Sequence, residues 1–241
     1  MDLFISDLHL SPERPNIFQA FFDFLEHQTR HSQRLYILGD LFDAWVGDDD
    51  DTPKFLQTAS AIQRCVENGT EVFFMRGNRD FLLGEKYAGY ANFTLLEDPA
   101  IIELPQGPAL LMHGDTLCRE DTDYLAFRKM VRDPHWQQNT LAMPLDERRA
   151  LADNLRSSSQ SMNSLKAEDI MDVSWEEVRR VMSSHKVRRL IHGHTHRPGR
   201  HHFTLANQPA ERIVLGDWHS RGWYLQVDEQ GLELRDFDIA E

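Results

Sequence analysis

Five short apolar runs, each stopping at residues that bind divalent metal ions, constrain this 241-residue chain more than any other feature. Leu3-Phe4-Ile5-Ser6 precedes Asp7 and His9, Leu35-Tyr36-Ile37-Leu38-Gly39 precedes Asp40, and Val72-Phe73-Phe74-Met75-Arg76-Gly77 precedes Asn78. Ala109-Leu110-Leu111-Met112 then leads to His113, and Arg189-Leu190-Ile191 to His192-Gly193-His194-Thr195-His196. Short apolar runs with Gly near their ends read as buried strands. Ligands at strand ends can converge on one sheet edge from distant sequence positions, and that convergence points to function.

Helices are expected between the first runs. Asn16 to Thr29 places Ile17, Phe18, Ala20, Phe21, Phe24 and Leu25 at helical spacing, and Pro53 to Val66 does the same with Phe55, Leu56, Ala59, Ile62 and Val66. From Ile101 onward strands crowd together: Ile101 to Leu104, Ala109 to Met112, His202 to Ala206, Ile213 to Leu215, Tyr224 to Val227 and Leu232 to Phe237. A βαβα first half and a strand-rich second half predict an α/β fold of two packed sheets flanked by helices. Between His113 and His192 the character changes, with helix formers and no strand-like run. The organisation expected is therefore a core of 1–121 and 185–241 with an inserted helical lid, 122–184, over the site. The plainer reading of the insertion's apolar residues, such as Tyr124, Phe127 and Trp136, is ordinary helix core.

Composition narrows the setting. No stretch reaches the eighteen or so apolar residues of a membrane span, and the N-terminus lacks the basic and apolar regions of a signal peptide, so a cytoplasmic location is expected. Cys65 and Cys118 are too few for a disulfide framework. A formal net charge of −13 argues against a nucleic-acid partner. It does not argue against a phosphate substrate, because two divalent cations reverse the local sign of a carboxylate-rich site.

Within the ligand set, Asp7 and His9 share the i, i+2 spacing of His194 and His196, so on an extended strand end each pair points one way and can chelate an ion. Asp40 is the bridging candidate, because a carboxylate can span two metals about 3.5 to 4 Å apart and a neutral imidazole cannot. Asn78 offers a carbonyl oxygen without charge. A set of Asp, His and Asn with no thiolate favours Mn²⁺ or a similar ion over structural zinc. Asp80 and Asp115 lie close to ligands and suit either outer-shell orientation of a His or turn geometry, and His192 suits orientation rather than ligation.

The blocks Asp7-Leu8-His9, Gly39-Asp40, Gly77-Asn78-Arg79-Asp80, His113-Gly114 and Gly193-His194-Thr195-His196 together resemble the signature of the calcineurin-like metallophosphoesterases. That resemblance implies a four-layer α/β/β/α sandwich. It also implies that Asp7, His9, Asp40 and His196 hold one metal while Asp40, Asn78, His113 and His194 hold the other. Longer stretches look like the branch of that family that hydrolyses UDP-2,3-diacylglucosamine in Gram-negative lipid A synthesis. These are Trp45-Val46-Gly47-Asp48-Asp49-Asp50, His113-Gly114-Asp115-Thr116-Leu117-Cys118, His192 through Pro198, and Ser159 to Val173 with Ile170-Met171-Asp172-Val173. Arg79, where many relatives carry His, narrows the likeness.

What the branch implies is hydrolysis of the pyrophosphate bond to UMP and 2,3-diacylglucosamine 1-phosphate, with two Mn²⁺ ions per subunit and water attacking the α-phosphorus. Asn78, Arg79, Asp121, Ser159, Asn163, Lys166 and His194 would contact the phosphosugar, and the lid's apolar residues would hold the acyl chains. A lipid substrate implies peripheral association with the cytoplasmic face of the inner membrane, expected through Trp136, Leu141, Arg148 and Arg149. No obligate protein partner is indicated. Two competing readings remain at this stage: a phosphodiesterase or phosphatase on soluble nucleotides or phosphoproteins, and a binding module that has kept the fold and lost the chemistry.

Overall fold

The computed structural model describes residues 1–163 and 172–240, with 158–163 described by their backbone alone. Its first sheet has the order β11-β10-β1-β2-β3-β4, from β1 (Asp2–Ile5), β2 (Arg34–Leu38), β3 (Glu71–Met75), β4 (Thr94–Leu96), β10 (Arg221–Asp228) and β11 (Gly231–Asp238). The second has the order β5-β6-β7-β9-β8, from β5 (Ala100–Leu104), β6 (Gly107–Met112), β7 (Arg189–His192), β8 (Gly199–Leu205) and β9 (Gln208–Val214). Strands β1 to β4 run parallel, as do β6, β7 and β9. The ligand-bearing ends within each sheet therefore face one edge.

Alternation along each strand explains why the sequence runs are apolar throughout. Phe4, Tyr36, Leu38 and Met75 of the first sheet pack with Leu111, Ile191 and Ile213 of the second, forming the core between the sheets. Leu3, Ile5, Leu35, Ile37 and Phe74 face the other way, onto helices α1 (Pro15–His27), α2 (Pro53–Glu67) and α3 (Glu85–Ala91). Both faces of β1 and nearly all of β2 are buried. Helices α1 and α2 each begin with Pro, whose fixed φ suits the first helical turn and whose missing N–H costs nothing there.

The insertion supplies α4 (Thr122–Val131), α5 (Pro134–Leu141), α6 (Leu145–Asn163) and α7 (Trp175–Ser184). Asp121, Asp133 and Ser174 cap the starts of α4, α5 and α7 by accepting backbone N–H groups. Helix α7 buries Val178, Val181 and Met182 against Leu110, Leu190 and Ala210 on the outer face of the second sheet. It forms the fourth layer of the α/β/β/α arrangement, so among these helices only α4 to α6 stand clear of the sheets. Short α3 and β4 are additions that the sequence pattern did not signal.

Three of the four residues expected at a membrane surface are engaged with other side chains. Arg148 is 3% exposed and clamps Asp49 with two hydrogen bonds, of 2.7 and 2.5 Å, while Trp136 is partly buried against Phe81. A buried guanidinium needs such a partner to offset desolvation, and here the partner lies 99 residues earlier in the chain. Arg149 is tied to Asp50 and Asp51, whereas Leu141 is exposed as expected. No helix among the described residues is long and apolar enough to cross a membrane.

Candidate metal centre and its cavity

Each candidate ligand follows its strand within a few residues: Asp7 and His9 after β1, Asp40 after β2, Asn78 after β3, His113 after β6, and His194 and His196 after β7. Four come from the first sheet and three from the second. Backbone hydrogen bonds strap neighbouring loops together, Asp7 N to Gly39 O at 3.0 Å and His9 N to Asp40 O at 2.9 Å, while Gly193 N reaches His113 O at 2.9 Å. Asp7, His9, Asp40, His194 and His196 all adopt positive φ, between 48° and 69°. A left-handed backbone costs a non-glycine residue roughly 1–2 kcal/mol, so five such residues at one edge mark a geometry held by its surroundings. The ligands therefore sit in sharp turns and not, as their i, i+2 spacing predicted, on extended strand ends.

Asp80 supplies part of that hold. Buried, its carboxylate accepts Gly77 N at 2.7 Å, Leu41 N at 2.8 Å and Asp40 N at 3.3 Å, pinning the turns that carry Asp40 and Asn78. Of the two roles considered for Asp80, the structure gives it turn geometry. Gly77 and Gly193 are required by close approach: a Cβ on Gly77 would overlap Asp40 Oδ1, and one on Gly193 would overlap Asp7 Oδ2.

The donor atoms fit divalent ions. Asn78 Oδ1 lies 2.8 Å from His113 Nε2 and 2.9 Å from His194 Nδ1. Donors at right angles, each about 2.1 Å from a shared ion, stand about 3 Å apart. Beside them, His9 Nε2 and His196 Nε2 are 3.2 Å apart, and His196 Nε2 is 3.4 Å from Asp7 Oδ1. Asp7, His9 and His196 form one compact donor group and Asp7, Asp40 and His113 another. Asp7 Oδ1 is buried without a hydrogen-bond partner, as expected of a polar atom arranged for a cation.

Charge is balanced around this cluster. Burial pushes His9 and His194 down to about 4, leaving both imidazoles neutral and able to ligate. Burial opposes charge on His113 as well, yet Asp40, Asp7 and Asp115 outweigh it and push the ring up to about 9. The Asp40 carboxyl is pushed up to about 6 by burial, partly offset by His113. Asp7 stays well below the usual carboxylate range: burial works against its charge, but His196 more than compensates. His113 Nδ1 donates to Leu38 O at 2.9 Å, which turns Nε2 toward the site as the nitrogen that ligation would deprotonate.

The remaining expected residues divide. Arg79 anchors Asp40 through its own backbone N–H, 2.8 Å from Oδ1, and its Nε is buried without a hydrogen-bond partner. Asp121 is buried and caps α4, with Oδ1 accepting Tyr124 N at 3.1 Å. Lys166 lies outside the described residues, as do the side chains of Ser159 and Asn163. Asp115 binds Tyr124 Oη at 2.5 Å and Arg128 Nε at 2.7 Å, so it holds α4 and not a ligating His. His192 donates Nδ1–H to Gly193 O at 2.8 Å and lies outside both donor groups.

A cavity opens directly beside Asn78 and Arg79. Trp45, Val46, Phe81 and Leu82 of the core line it with Phe127, Trp136, Leu151 and Leu155 of α4 to α6. Its wall is mostly apolar, and it joins the metal ligands to the inserted helices. Sequence reasoning put apolar lid residues over the site but missed Trp45 and Phe81, which contribute from the core side.

Residues 3–198 match the calcineurin-like phosphoesterase family. The chain is 57% identical over 237 residues to UDP-2,3-diacylglucosamine hydrolase of Cellvibrio japonicus (strain Ueda107), covering 98% of this chain and 99% of that protein. It is 50% identical over 240 residues to the protein of the same name from Pseudomonas putida strain F1, covering 100% of both. Among solved structures, an archaeal phosphodiesterase aligns over 98% of each chain at 14% identity and a TM-score of 0.48, too distant to inform substrate or mechanism.

Proposed function

Because the chain belongs to the calcineurin-like phosphoesterase family, we propose that it hydrolyses UDP-2,3-diacylglucosamine, the substrate named for its close relatives. The pyrophosphate bond is cleaved to UMP and 2,3-diacylglucosamine 1-phosphate, or lipid X, as a step in lipid A synthesis. The observation that carries the substrate is the apolar cavity opening at Asn78 and Arg79. A soluble nucleotide or phosphoprotein needs no such slot, whereas an acyl chain gains roughly 0.8 kcal/mol for each methylene it buries there.

Asp7, His9, Asp40 and His196 would hold one divalent ion, and Asp40, Asn78, His113 and His194 a second. Mn²⁺ is the ion we assign, on the donor chemistry. Such ions supply Lewis acidity toward phosphoryl oxygens and lower the pKa of water. The chain's own part is positioning. Arg79, its backbone committed to Asp40, has a guanidinium free to take the phosphate oxygens of the scissile group, in a place where apolar walls exclude water and strengthen the interaction. Asn78 and His194 stand beside it to orient the same group, and water attacks the α-phosphorus of the UMP half.

The acylated substrate resides in a bilayer, so we assign the protein to the cytoplasmic face of the inner membrane. Exposed Met130 and Leu141, on α4 and α5, are side chains it can offer there.

The reaction in oxygen-18 water with Mn²⁺-loaded protein tests the assignment. Labelled UMP with unlabelled lipid X is expected. No cleavage of the acylated substrate, with turnover of bis-p-nitrophenyl phosphate, would transfer the site to soluble substrates.

A further inference from the structure

Three arginines hold α6 to the loop that follows β2, and they differ in where they end. Arg148 meets Asp49, and Arg149 meets Asp50 and Asp51, carboxylates that among the described residues form no ion pair with a member of either donor group. Arg156 ends elsewhere. Its Nη1 lies 2.6 Å from Asp43 Oδ2, and the other oxygen of that carboxylate, Oδ1, is 3.8 Å from His9 Nδ1. Asp43 is brought there by backbone, since the loops after β1 and β2 zip together through Leu10 N to Leu41 O at 2.9 Å and Asp43 N to Leu10 O at 3.1 Å.

His9 differs from its fellow ligand His113 in a way that gives this arrangement a use. A backbone carbonyl accepts from His113 Nδ1, but the buried His9 Nδ1 has no hydrogen-bond partner. The nearby carboxylates are Asp40, at 3.9 Å, and Asp43, at 3.8 Å. Asp40 belongs to the ligand set, which leaves Asp43 to serve the ring. A movement of about 1 Å brings Asp43 Oδ1 to hydrogen-bond length. The proton on Nδ1 would then leave Nε2, the atom beside His196 Nε2, as the ligating nitrogen.

We infer that Asp43 is a positioning residue for His9, steered by Arg156, so that docking of α6 and the grip of the Asp7–His9–Asp40–His196 group on its ion are coupled. The inference rests on the functional reading above, because it needs that group to bind a divalent ion. Arg156 and Asp43 also line the apolar cavity. By reciprocity, an occupant that presses α6 onto the core tightens the ion, and the ion favours the docked helix.

Titration of the metal-stripped full-length protein with Mn²⁺, followed through the free-ion signal in electron paramagnetic resonance, tests this without reference to turnover. Asp43→Asn should weaken one of two ions about 10- to 100-fold, the usual range for an outer-shell partner of a ligating His. Arg156→Gln should weaken the same ion by less, and the double variant should match Asp43→Asn, because the arginine acts through the carboxylate. Asp43→Glu should restore part of the loss, and Arg149→Gln, which cuts a tie ending on no ligand's neighbour, should leave both affinities unchanged. Thermal unfolding of the stripped proteins checks that each variant is folded; should Asp43→Asn fail, Asp43→Glu and Arg156→Gln carry the comparison. Isotherms of the Asp43 and Arg156 variants superimposed on the parent would overturn the inference alone. So would a raised KM in Arg156→Gln with Mn²⁺ affinity unchanged, which would make Arg156 a substrate contact. Absence of Mn²⁺ uptake by the parent chain would overturn this inference together with the functional reading.

Discussion

At the metal-bearing edge, backbone hydrogen bonds strap one loop to the next, from Asp7 N to Gly39 O and from His9 N to Asp40 O. Across α6, the ties to the core are ion pairs at the ends of long side chains, Arg148 to Asp49 and Arg149 to Asp50 and Asp51. Backbone straps fix positions to fractions of an ångström and leave few alternatives, which would suit donors proposed to meet about 2 Å from an ion. Arginine side chains with several rotatable bonds tolerate displacement, which would suit helices proposed to admit acyl chains and release product. One region spends its stability on a strained, rigid frame; the other keeps a looser attachment.

The sharpest break of that contrast is at the edge. His113→Ala should lower turnover at least about a thousandfold, about 4 kcal/mol of barrier, with the far-ultraviolet circular dichroism unchanged. Near-normal kcat would remove His113 from the site. Acid should act next. With its pKa pushed up to about 9, His113 carries a proton at neutral pH in the ion-free protein and must release it on ligation. Apparent Mn²⁺ affinity should therefore rise with pH, by about tenfold per unit below 9, or about a hundredfold from pH 6.5 to 8.5. Calorimetry in buffers of different ionisation enthalpy should register at least about one proton released at pH 7; none would show that the ring is already neutral.

Removing the Asp80 carboxylate tests the frame itself. Asp80→Ala leaves the N–H groups of Gly77, Leu41 and Asp40 unpaired and should cost about 2 kcal/mol in urea unfolding, with loss of metal exceeding loss of secondary structure. An unchanged midpoint would mean that water replaces the carboxylate. On the helical side, Ala152→Phe fills part of the cavity and should raise KM for the diacylated substrate about tenfold, about 1.4 kcal/mol, while bis-p-nitrophenyl phosphate turns over as before. Equal loss on both substrates would place the change at the metals and not in the slot. The smallest effect is expected at Arg149→Gln, at most about 1 kcal/mol of stability, because its carboxylate partners include the exposed Asp51.

The same contrast governs what could be read beforehand. Strands buried on both faces leave unbroken apolar runs, so β1, β2, β3, β6 and β7 were visible together with the ligands at their ends. Helices α1 and α2 were visible from their apolar stripes. Short α3 and β4 were not, because seven and three residues with mixed exposure leave no period to detect. Nor does sequence carry the left-handed backbone of Asp7, His9 and Asp40, which non-glycine residues adopt only where the surroundings impose it. Arg148 and Trp136, expected at a membrane face because a lipid substrate implies one and the insertion is rich in basic and apolar residues, are instead engaged within the protein. Their partners, Asp49 and Phe81, are distant in sequence, and nothing local distinguishes a paired arginine from a solvated one.

The division of the ligands, four from one sheet and three from the other, bears on quality control during synthesis. On the proposed assignment neither sheet alone would present a full set for even one ion, because His196 of the second sheet would join Asp7, His9 and Asp40 of the first, and His113 and His194 would likewise join Asn78. The last of these residues emerges only after the helical insertion has been made. A half-folded chain would then be an inert one, and metal retention by a variant would serve as an assay of whether its two sheets have docked.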